Sequence, residues 1–144
     1  MFRLTGCGLV IVSMVFISCQ KVFESYYSYK FLEDVITVIQ KIQYENFINI
    51  PYKELFEKIG FDKNKFMITT KSNGYVNRKN INEVSVFFDN LGKRDSHSEN
   101  KYLQDNMEKF ILEKQRHINR YNNIKKTHPL CGFSIGMIII IFLI

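Results

Sequence analysis

The sequence has 144 residues and a formal net charge of +6, and this length allows one small soluble domain beside any membrane segments. Its three cysteines lie in or beside two apolar ends, so neither a disulfide framework nor a zinc cluster is expected. The basic excess is spread along the chain. It suits anionic lipid headgroups and is too small to indicate nucleic-acid binding.

Residues 1–19 are predicted to be an N-terminal membrane anchor. Residues 4–19 carry no charged side chain, although this stretch is shorter than the roughly 20 residues that a spanning helix usually needs. A signal peptide and an exported lipoprotein acylated at Cys19 are the alternatives, because residues 17–19 resemble the end of a lipobox. Phe16 fits that lipoprotein signal poorly, so the uncleaved anchor is preferred.

Residues 20–129 are predicted to form a cytoplasmic domain, which contains every acidic residue and all but one of the basic residues. Apolar residues recur at helical spacing over 20–48 and again from residue 96 to about 128, which predicts two long helices. The first stripe contains Leu32, Val35 or Ile36, Ile39 and Ile42. The second contains Leu103, Met107, Phe110 or Ile111, Ile118, Tyr121 and Ile124. Because one helix leaves the membrane and the other returns to it, we expect them to pack antiparallel.

Shorter elements are predicted between these two helices. Pro51 is expected in the first turn of a short helix that ends at Gly60, and Asn80 is expected to cap the start of another. Residues 61–79 are predicted to be an irregular link, with a hairpin that turns at residues 72–74 as the alternative.

A turn at residues 91–95 separates the last short helix from the second long one. Gly92 can adopt the left-handed backbone that ends a helix, and Ser96 and Glu99 have the spacing of a capping box. We expect this turn to be a docking point for a partner protein. Its residues are Leu91, Gly92, Lys93, Arg94, Asp95 and Glu99.

Residues 130–144 are predicted to be a C-terminal transmembrane segment, because they carry no charged side chain and follow a basic flank. The flank consists of Lys114, Arg116, Arg120, Lys125 and Lys126. No acidic residue follows Glu113, so these cations are expected to lack acidic partners. Nothing positive follows the segment, and the positive-inside rule therefore puts the domain in the cytoplasm.

Two local features modify this C-terminal segment. Pro129 is expected to interrupt the approach of the helix to the membrane. Gly132 and Gly136, four residues apart, provide a small-residue face on which another helix could pack closely. The alternative is that they are incidental glycines on a helix that faces lipid.

No catalytic, metal or cofactor site is expected. Asp95, His97 and Ser98 contain the residue types of a triad, but such groups seldom act as sequence neighbours, and a turn with a cap explains them better. His117 and His128 have no cysteine or carboxylate at ligand spacing. The sequence therefore predicts an all-α protein without enzymatic activity, built as a small antiparallel helical bundle between an N-terminal and a C-terminal transmembrane helix.

The features follow one another in a particular order: a short membrane segment, a helical domain, a Leu-Gly turn before a long charged helix, and a glycine-containing membrane tail. That order resembles the stage III sporulation protein AB family of endospore-forming bacteria. The matching residues are Ile42, Tyr44, Pro51, Glu54, Leu91, Gly92, Asp95, Tyr121, Lys125, Leu130, Gly132 and Gly136.

This resemblance implies a non-enzymatic component of the complex in the mother-cell membrane around the forespore. The family is similar to the helical cytoplasmic domains of platform proteins in type II secretion and type IV pilus systems. It also implies partners among the other stage III sporulation proteins, including a secretion-type ATPase. Small-molecule substrates, nucleic acid and cofactors are not implied.

Overall fold

The computed structural model describes residues 2–45 and 51–143, and this part of the chain is helical without strands. The described helices are α1 Phe2–Tyr44, α2 Tyr52–Lys58, α3 Lys63–Ser72, α4 Arg78–Asp89 and α5 Ser96–Leu143. The prediction of an all-α protein is confirmed. The first long helix was predicted to reach residue 48, and residues 46–48 lie outside the described residues.

α1 and α5 lie side by side and run antiparallel. Near the start of α1, Ile11 lies beside Gly136 of α5. About six helical turns earlier in α5, the Lys114 ammonium lies 3.4 Å from the Glu33 carboxylate of α1. Contacts between the two helices therefore extend along most of their length.

The core lies where α2, α3 and α4 pack against the second half of α1 and the first third of α5. We call this part the head (residues 31–45 and 51–110). Its buried apolar side chains are Phe31, Leu32, Val35, Ile36, Ile39, Ile42, Leu55, Met67, Val76, Ile81, Val84, Phe87, Phe88, Leu103 and Phe110. Phe87 is 1% exposed, and its ring packs against those of Phe88, Tyr102 and Phe110. Aromatic burial at this density holds the short helices to the long pair.

The other end of the helix pair has the opposite arrangement. We call it the apolar arm (residues 2–19 and 130–143). Its large exposed apolar side chains are Leu9, Val12, Phe16, Ile17, Leu130, Phe133, Ile135, Met137, Ile138 and Ile141. By length and composition, both α1 and α5 contain stretches able to cross a membrane, and the rest of the chain hardly covers these stretches.

Pro129 lies inside α5 and does not interrupt it. The second long helix was predicted to run to about His128, whereas α5 continues to Leu143. Proline removes one helical hydrogen bond, the one to the carbonyl of Lys125. The bonds on both sides remain, and α5 is held against α1 both before and after this position, so one missing bond is tolerated.

The prediction of an irregular link over residues 61–79 is wrong, because most of the first half is helix α3. The Asp62 carboxylate caps this helix by accepting a hydrogen bond from the Lys65 amide at 3.0 Å. Met67 and Thr70 then face the core. The turn at residues 72–74 does occur, with Gly74 at φ +65°, but it joins two helices and not two strands.

The start of α4 also differs from the prediction. Asn80 was expected to cap this helix, whereas α4 begins at Arg78 and Asn77 is the capping residue. The Asn77 side chain accepts a hydrogen bond from the Lys79 amide at 2.9 Å. Asn80 is therefore one turn inside the helix, where its side chain is buried.

Candidate functional site

The turn between α4 and α5 is fixed from beneath by a buried carboxylate. Gly92 has φ +76°, and its amide donates a hydrogen bond to Glu99 Oε1 at 2.9 Å. The Tyr52 hydroxyl of α2 donates to the same oxygen at 3.0 Å. A Cβ at position 92 would lie 2.7 Å from Cδ2 of the Tyr52 ring, so only glycine fits this backbone and this close approach.

The capping box predicted at Ser96 and Glu99 is not formed, although α5 does begin at Ser96. The cap is Asp95, whose carboxylate accepts a hydrogen bond from the Ser98 amide at 3.2 Å. Hydrogen bonds from the Ser98 side chain and backbone lower the pKa of the Asp95 carboxyl. Glu99 is instead 7% exposed, so it supports the turn from inside and does not lie on its surface.

The charged side chains of the turn, those of Lys93, Arg94 and Asp95, are exposed, and contacts hold the Arg94 side chain in place. The Arg94 guanidinium lies 3.7 Å from the centroid of the Tyr102 ring and donates a hydrogen bond to the Asn90 carbonyl at 3.0 Å. It also lies 3.9 Å from the Glu99 carboxylate. Leu91 is half-buried and packs against the core. The turn thus presents two cations and one anion on a rigid support.

Tyr52 is the part of this site that the sequence did not indicate. It lies 47 residues from its partner Glu99, immediately after Pro51 at the start of α2. Burial, together with the hydrogen bond to Glu99, raises the pKa of the Tyr52 hydroxyl, so this group remains a donor at neutral pH. A tyrosine directly after a helix-starting proline is not a motif, and only the fold brings it to Gly92.

The basic flank on α5 is partly paired, contrary to the expectation that its cations lack acidic partners. Lys114 pairs with Glu33 across the two long helices, and Arg116 pairs with Glu113 on its own helix. The other three members, Arg120, Lys125 and Lys126, have no acidic partner among the described residues. These three are the members closest to the apolar arm.

Gly132 and Gly136 lie at the contact between the two helices of the apolar arm. A Cβ on Gly132 would lie 2.5 Å from the Ser18 Oγ and 2.8 Å from the Met14 carbonyl oxygen. A Cβ on Gly136 would lie 3.2 Å from the Ile11 Cα. The missing side chains let the backbones of α1 and α5 approach closely, as small residues do between membrane helices.

A buried polar contact joins α4 to α5 at the edge of the head. Asn80 belongs to the head, and His117 lies on α5 just beyond it. The Asn80 Nδ2 and His117 Nε2 atoms are 2.8 Å apart, and both side chains are buried. Burial lowers the pKa of the His117 imidazole, with Arg120 acting in the same direction and Glu113 and Glu24 against it. His117 was considered only as a remote metal ligand, and its structural partner was not predicted.

His97 and Asp95, two of the residue types of a triad, lie at the exposed start of α5. His97 is exposed, and the neighbouring Asp95 carboxylate is occupied as a helix cap. Within residues 2–45 and 51–143, no three His, Cys, Asp or Glu side chains are grouped so that they could hold a metal ion.

No protein-family model, no curated protein and no solved structure matches this chain.

Proposed function

We propose that this chain is a non-enzymatic membrane component of the sporulation stage III complex between mother cell and forespore, of the kind represented by stage III sporulation protein AB. In this proposal it resembles the platform proteins of type II secretion and type IV pilus systems. It resides in the mother-cell membrane around the forespore, with the head in the cytoplasm, and docks a secretion-type ATPase. Its other partners are proteins of the same complex.

The observation that carries this proposal is that one continuous helix, α5, begins directly after the Leu-Gly turn and ends in the apolar arm. The residues that carry the resemblance in the C-terminal half include Gly92 of the turn, Lys125 of the basic flank, and Gly132 and Gly136 at the close helix contact. Each has a structural use in this chain, and together they connect an exposed charged turn to an apolar end. That connection suits a protein that receives a partner in the cytoplasm and is anchored in the bilayer.

The proposed architecture is a small antiparallel helical bundle on two transmembrane legs. The residues of the apolar arm form the legs, and the unpaired cations Arg120, Lys125 and Lys126 remain on the cytoplasmic side. The C-terminal leg, residues 130–144, has a length of about 22 Å as a helix, so it relies on bilayer thinning or on flanking residues to span. Its pairing with α1 through Gly132 supports two adjacent legs.

Docking at the turn is proposed because its cations are oriented by contacts within the head. Arg94 is fixed by Tyr102 and Asn90, and Lys93 donates a hydrogen bond to the Asn90 Oδ1 at 3.2 Å. A partner that binds such a turn does not have to order it first, which reduces the entropic cost of association.

Deletion of the gene in an endospore-forming host should block development after engulfment. Complementation then tests the turn: a double variant, Lys93→Glu with Arg94→Glu, should fail to restore heat-resistant spores. The matched control is Lys53→Glu with Lys65→Glu, which makes the same charge change at two exposed lysines on α2 and α3. Normal spore numbers in the deletion strain would refute the sporulation role. Full rescue by the turn variant would refute docking at this site.

The exported lipoprotein acylated at Cys19 remains the competing function. Acylation there requires cleavage before Cys19, which would remove both Met14 and Ile11 from their contacts with Gly132 and Gly136. The substitution Ser72→Cys, at an exposed position in a chain that keeps Cys19 but has Cys7 and Cys131 replaced, distinguishes the two by its reaction with a membrane-impermeant thiol reagent; the same chain with Ser72 unchanged is the control. We expect labelling only after permeabilisation, and labelling of intact cells would support the lipoprotein.

A further inference from the structure

Three aromatic rings form an exposed patch where α1 leaves the apolar arm. Tyr75, in the connection between α3 and α4, stacks on Tyr27 with ring centroids 5.7 Å apart and meets Phe23 edge-on at 5.7 Å. These rings belong to two separate parts of the chain, yet Phe23 is 39% exposed and both tyrosines are 36% exposed. Packing among themselves therefore leaves much of their surface uncovered.

The connection that carries Tyr75 is fixed to α1. The Asn77 backbone amide donates a hydrogen bond to the Ser28 Oγ at 2.9 Å, and its side-chain Nδ2 donates to the Glu24 carboxylate at 2.9 Å. Val76, between Tyr75 and this anchor, is buried in the core. The exposed position of Tyr75 is consequently set by its neighbours on both elements.

The patch lies directly next to the apolar arm. Phe23 follows Cys19 by one helical turn, which is about 6 Å along α1. On α5, the rings of Tyr121 and Tyr26 pack with centroids 5.6 Å apart, and Gly132 lies against Ser18. Lys125 and Lys126 fall between these two contacts, so these two cations of α5 are at the same level as the patch.

Two further cations border the patch. Lys21 and Arg78 line the same cleft as Tyr75, and neither has an acidic partner in the part of the chain that the structure describes. Glu24 also lines this cleft, but the Asn77 side chain engages its carboxylate. Aromatic rings with polar tips and neighbouring unpaired cations are the composition that binds the headgroup region of an anionic bilayer.

We propose that the connection between α3 and α4 is a membrane-contact element, in which Tyr75, Tyr27 and Phe23 enter the headgroup region of an anionic bilayer while Lys21 and Arg78 bind lipid phosphates. This inference rests on the proposed insertion of the apolar arm into the membrane. It adds a third attachment point, one that belongs to the folded head and not to the spanning helices.

Tryptophan fluorescence can test this contact, because the sequence contains no tryptophan. Four single-Trp full-length chains are reconstituted into phosphatidylglycerol-containing vesicles with lipids brominated close to the headgroup. Tyr75→Trp and Phe23→Trp report on the patch, Phe133→Trp reports on the apolar arm, and Leu112→Trp is the control. Leu112 is exposed on α5 and lies about 27 Å from Leu130 along the helix.

We expect bromine to quench Tyr75→Trp, Phe23→Trp and Phe133→Trp, and to leave Leu112→Trp unquenched. Quenching of Phe133→Trp alone would overturn the contact while leaving membrane insertion intact. If none of the variants is quenched, both the contact and the proposed insertion fail. Because two positions on the patch carry reporters, the contact can still be tested if one of these variants misfolds.

The role of Lys21 and Arg78 can be measured separately, by comparing quenching in anionic and in neutral vesicles. In the Tyr75→Trp chain, Lys21→Gln with Arg78→Gln should reduce quenching in anionic vesicles to the level seen in pure phosphatidylcholine. Each basic residue near an anionic surface favours attachment by roughly fivefold, so the effect should be clear. The control is Lys53→Gln with Lys65→Gln, on the exposed surface of α2 and α3. Phosphate binding would be overturned if the Tyr75→Trp chain that keeps Lys21 and Arg78 were quenched equally in both kinds of vesicle, or if the double variant were quenched in anionic vesicles as strongly as that chain.

Discussion

The head and the apolar arm are built from the same two helices but place their apolar side chains in opposite directions. In the head, Leu32 of α1 and Leu103 of α5 are each 1% exposed, whereas in the arm Leu9 and Leu130 are 69% and 66% exposed. The head therefore excludes water from an internal core, and its exposed surface carries the charges. In the arm the two helices meet through glycine, and among the side chains that the structure describes Ile140 is buried while most of the large apolar ones point outward. One helix pair thus buries its apolar side chains at one end and exposes them at the other.

Loss of a core ring should have the largest effect and should separate the two regions. Phe87→Ala removes the ring that contacts three others in the head, and we expect it to lower the free energy of unfolding by about 3–5 kcal/mol. The control Phe133→Ala, on an exposed ring of the arm, should change it little. Denaturant titration of the full chain in detergent measures both. If the two variants lost similar free energy of unfolding, the distinction between a buried core in the head and exposed side chains in the arm would be wrong.

A large side chain at the arm contact should have the next largest effect. Gly132→Leu forces a Cβ against the Ser18 hydroxyl and the Met14 backbone, and we expect a cost of about 3 kcal/mol because the backbone must move. The matched control is Gly8→Leu, since a Cβ at Gly8 meets nothing within 4 Å. Unfolding of the full chain in SDS is the measurement. Equal midpoints for the two variants would mean that close helix contact is not needed.

A smaller loss of stability is expected from a substitution at Gly92, which has left-handed backbone and lies close to the Tyr52 ring. Gly92→Ala should destabilise the chain by about 2 kcal/mol, because alanine disfavours φ +76° and its Cβ would push the Tyr52 ring aside. Gly74→Ala has the same backbone problem but open space around it, so it should cost less. Thermal unfolding compares the two, and an equal loss would show that the Tyr52 contact is unimportant.

The smallest effect is a pH dependence of the contact between α4 and α5. Burial lowers the pKa of His117, so the unfolded chain takes up a proton there before the folded chain does. The free energy of unfolding should therefore fall as the pH drops below the ordinary pKa of histidine. Above that pKa, His117 is neutral in both the folded and the unfolded chain, and it contributes no pH dependence. His117→Gln, which can still bond Asn80, should lose part of this dependence between about pH 7.5 and 5.5. If the free energy of unfolding depended on pH equally in the variant and in the native chain, His117 would not be the source of this dependence.

The long helices could be predicted because their stripes are regular, and the structure also resolves the alternatives left open. Val35 and Ile36 are both buried, whereas Phe110 is buried and its neighbour Ile111 is 43% exposed. Helix α3 was missed for a physical reason. It is short, Ile68 faces outward, and its stability comes from packing of Met67 and Thr70 and not from a strong stripe of its own.

The candidate site could be predicted only where it depends on local sequence. The glycine of the turn and the glycines of the arm were recognisable from spacing. The support from Tyr52 and the pairing of Asn80 with His117 were not, because each joins residues that only the fold brings together. Glu99 has the spacing of a capping residue, but a tyrosine and an amide from other elements compete for its carboxylate.

The uninterrupted course of α5 has a mechanical consequence. Its 48 residues form a helix of about 72 Å that begins at the charged turn and ends in the apolar arm, and Pro129 does not end it. A load applied to the turn acts on one end of a stiff lever whose other end is clamped to α1 through Gly132. Because α5 is one helix from Ser96 to Leu143, we expect a tilt of the head to be transmitted along it to the apolar arm.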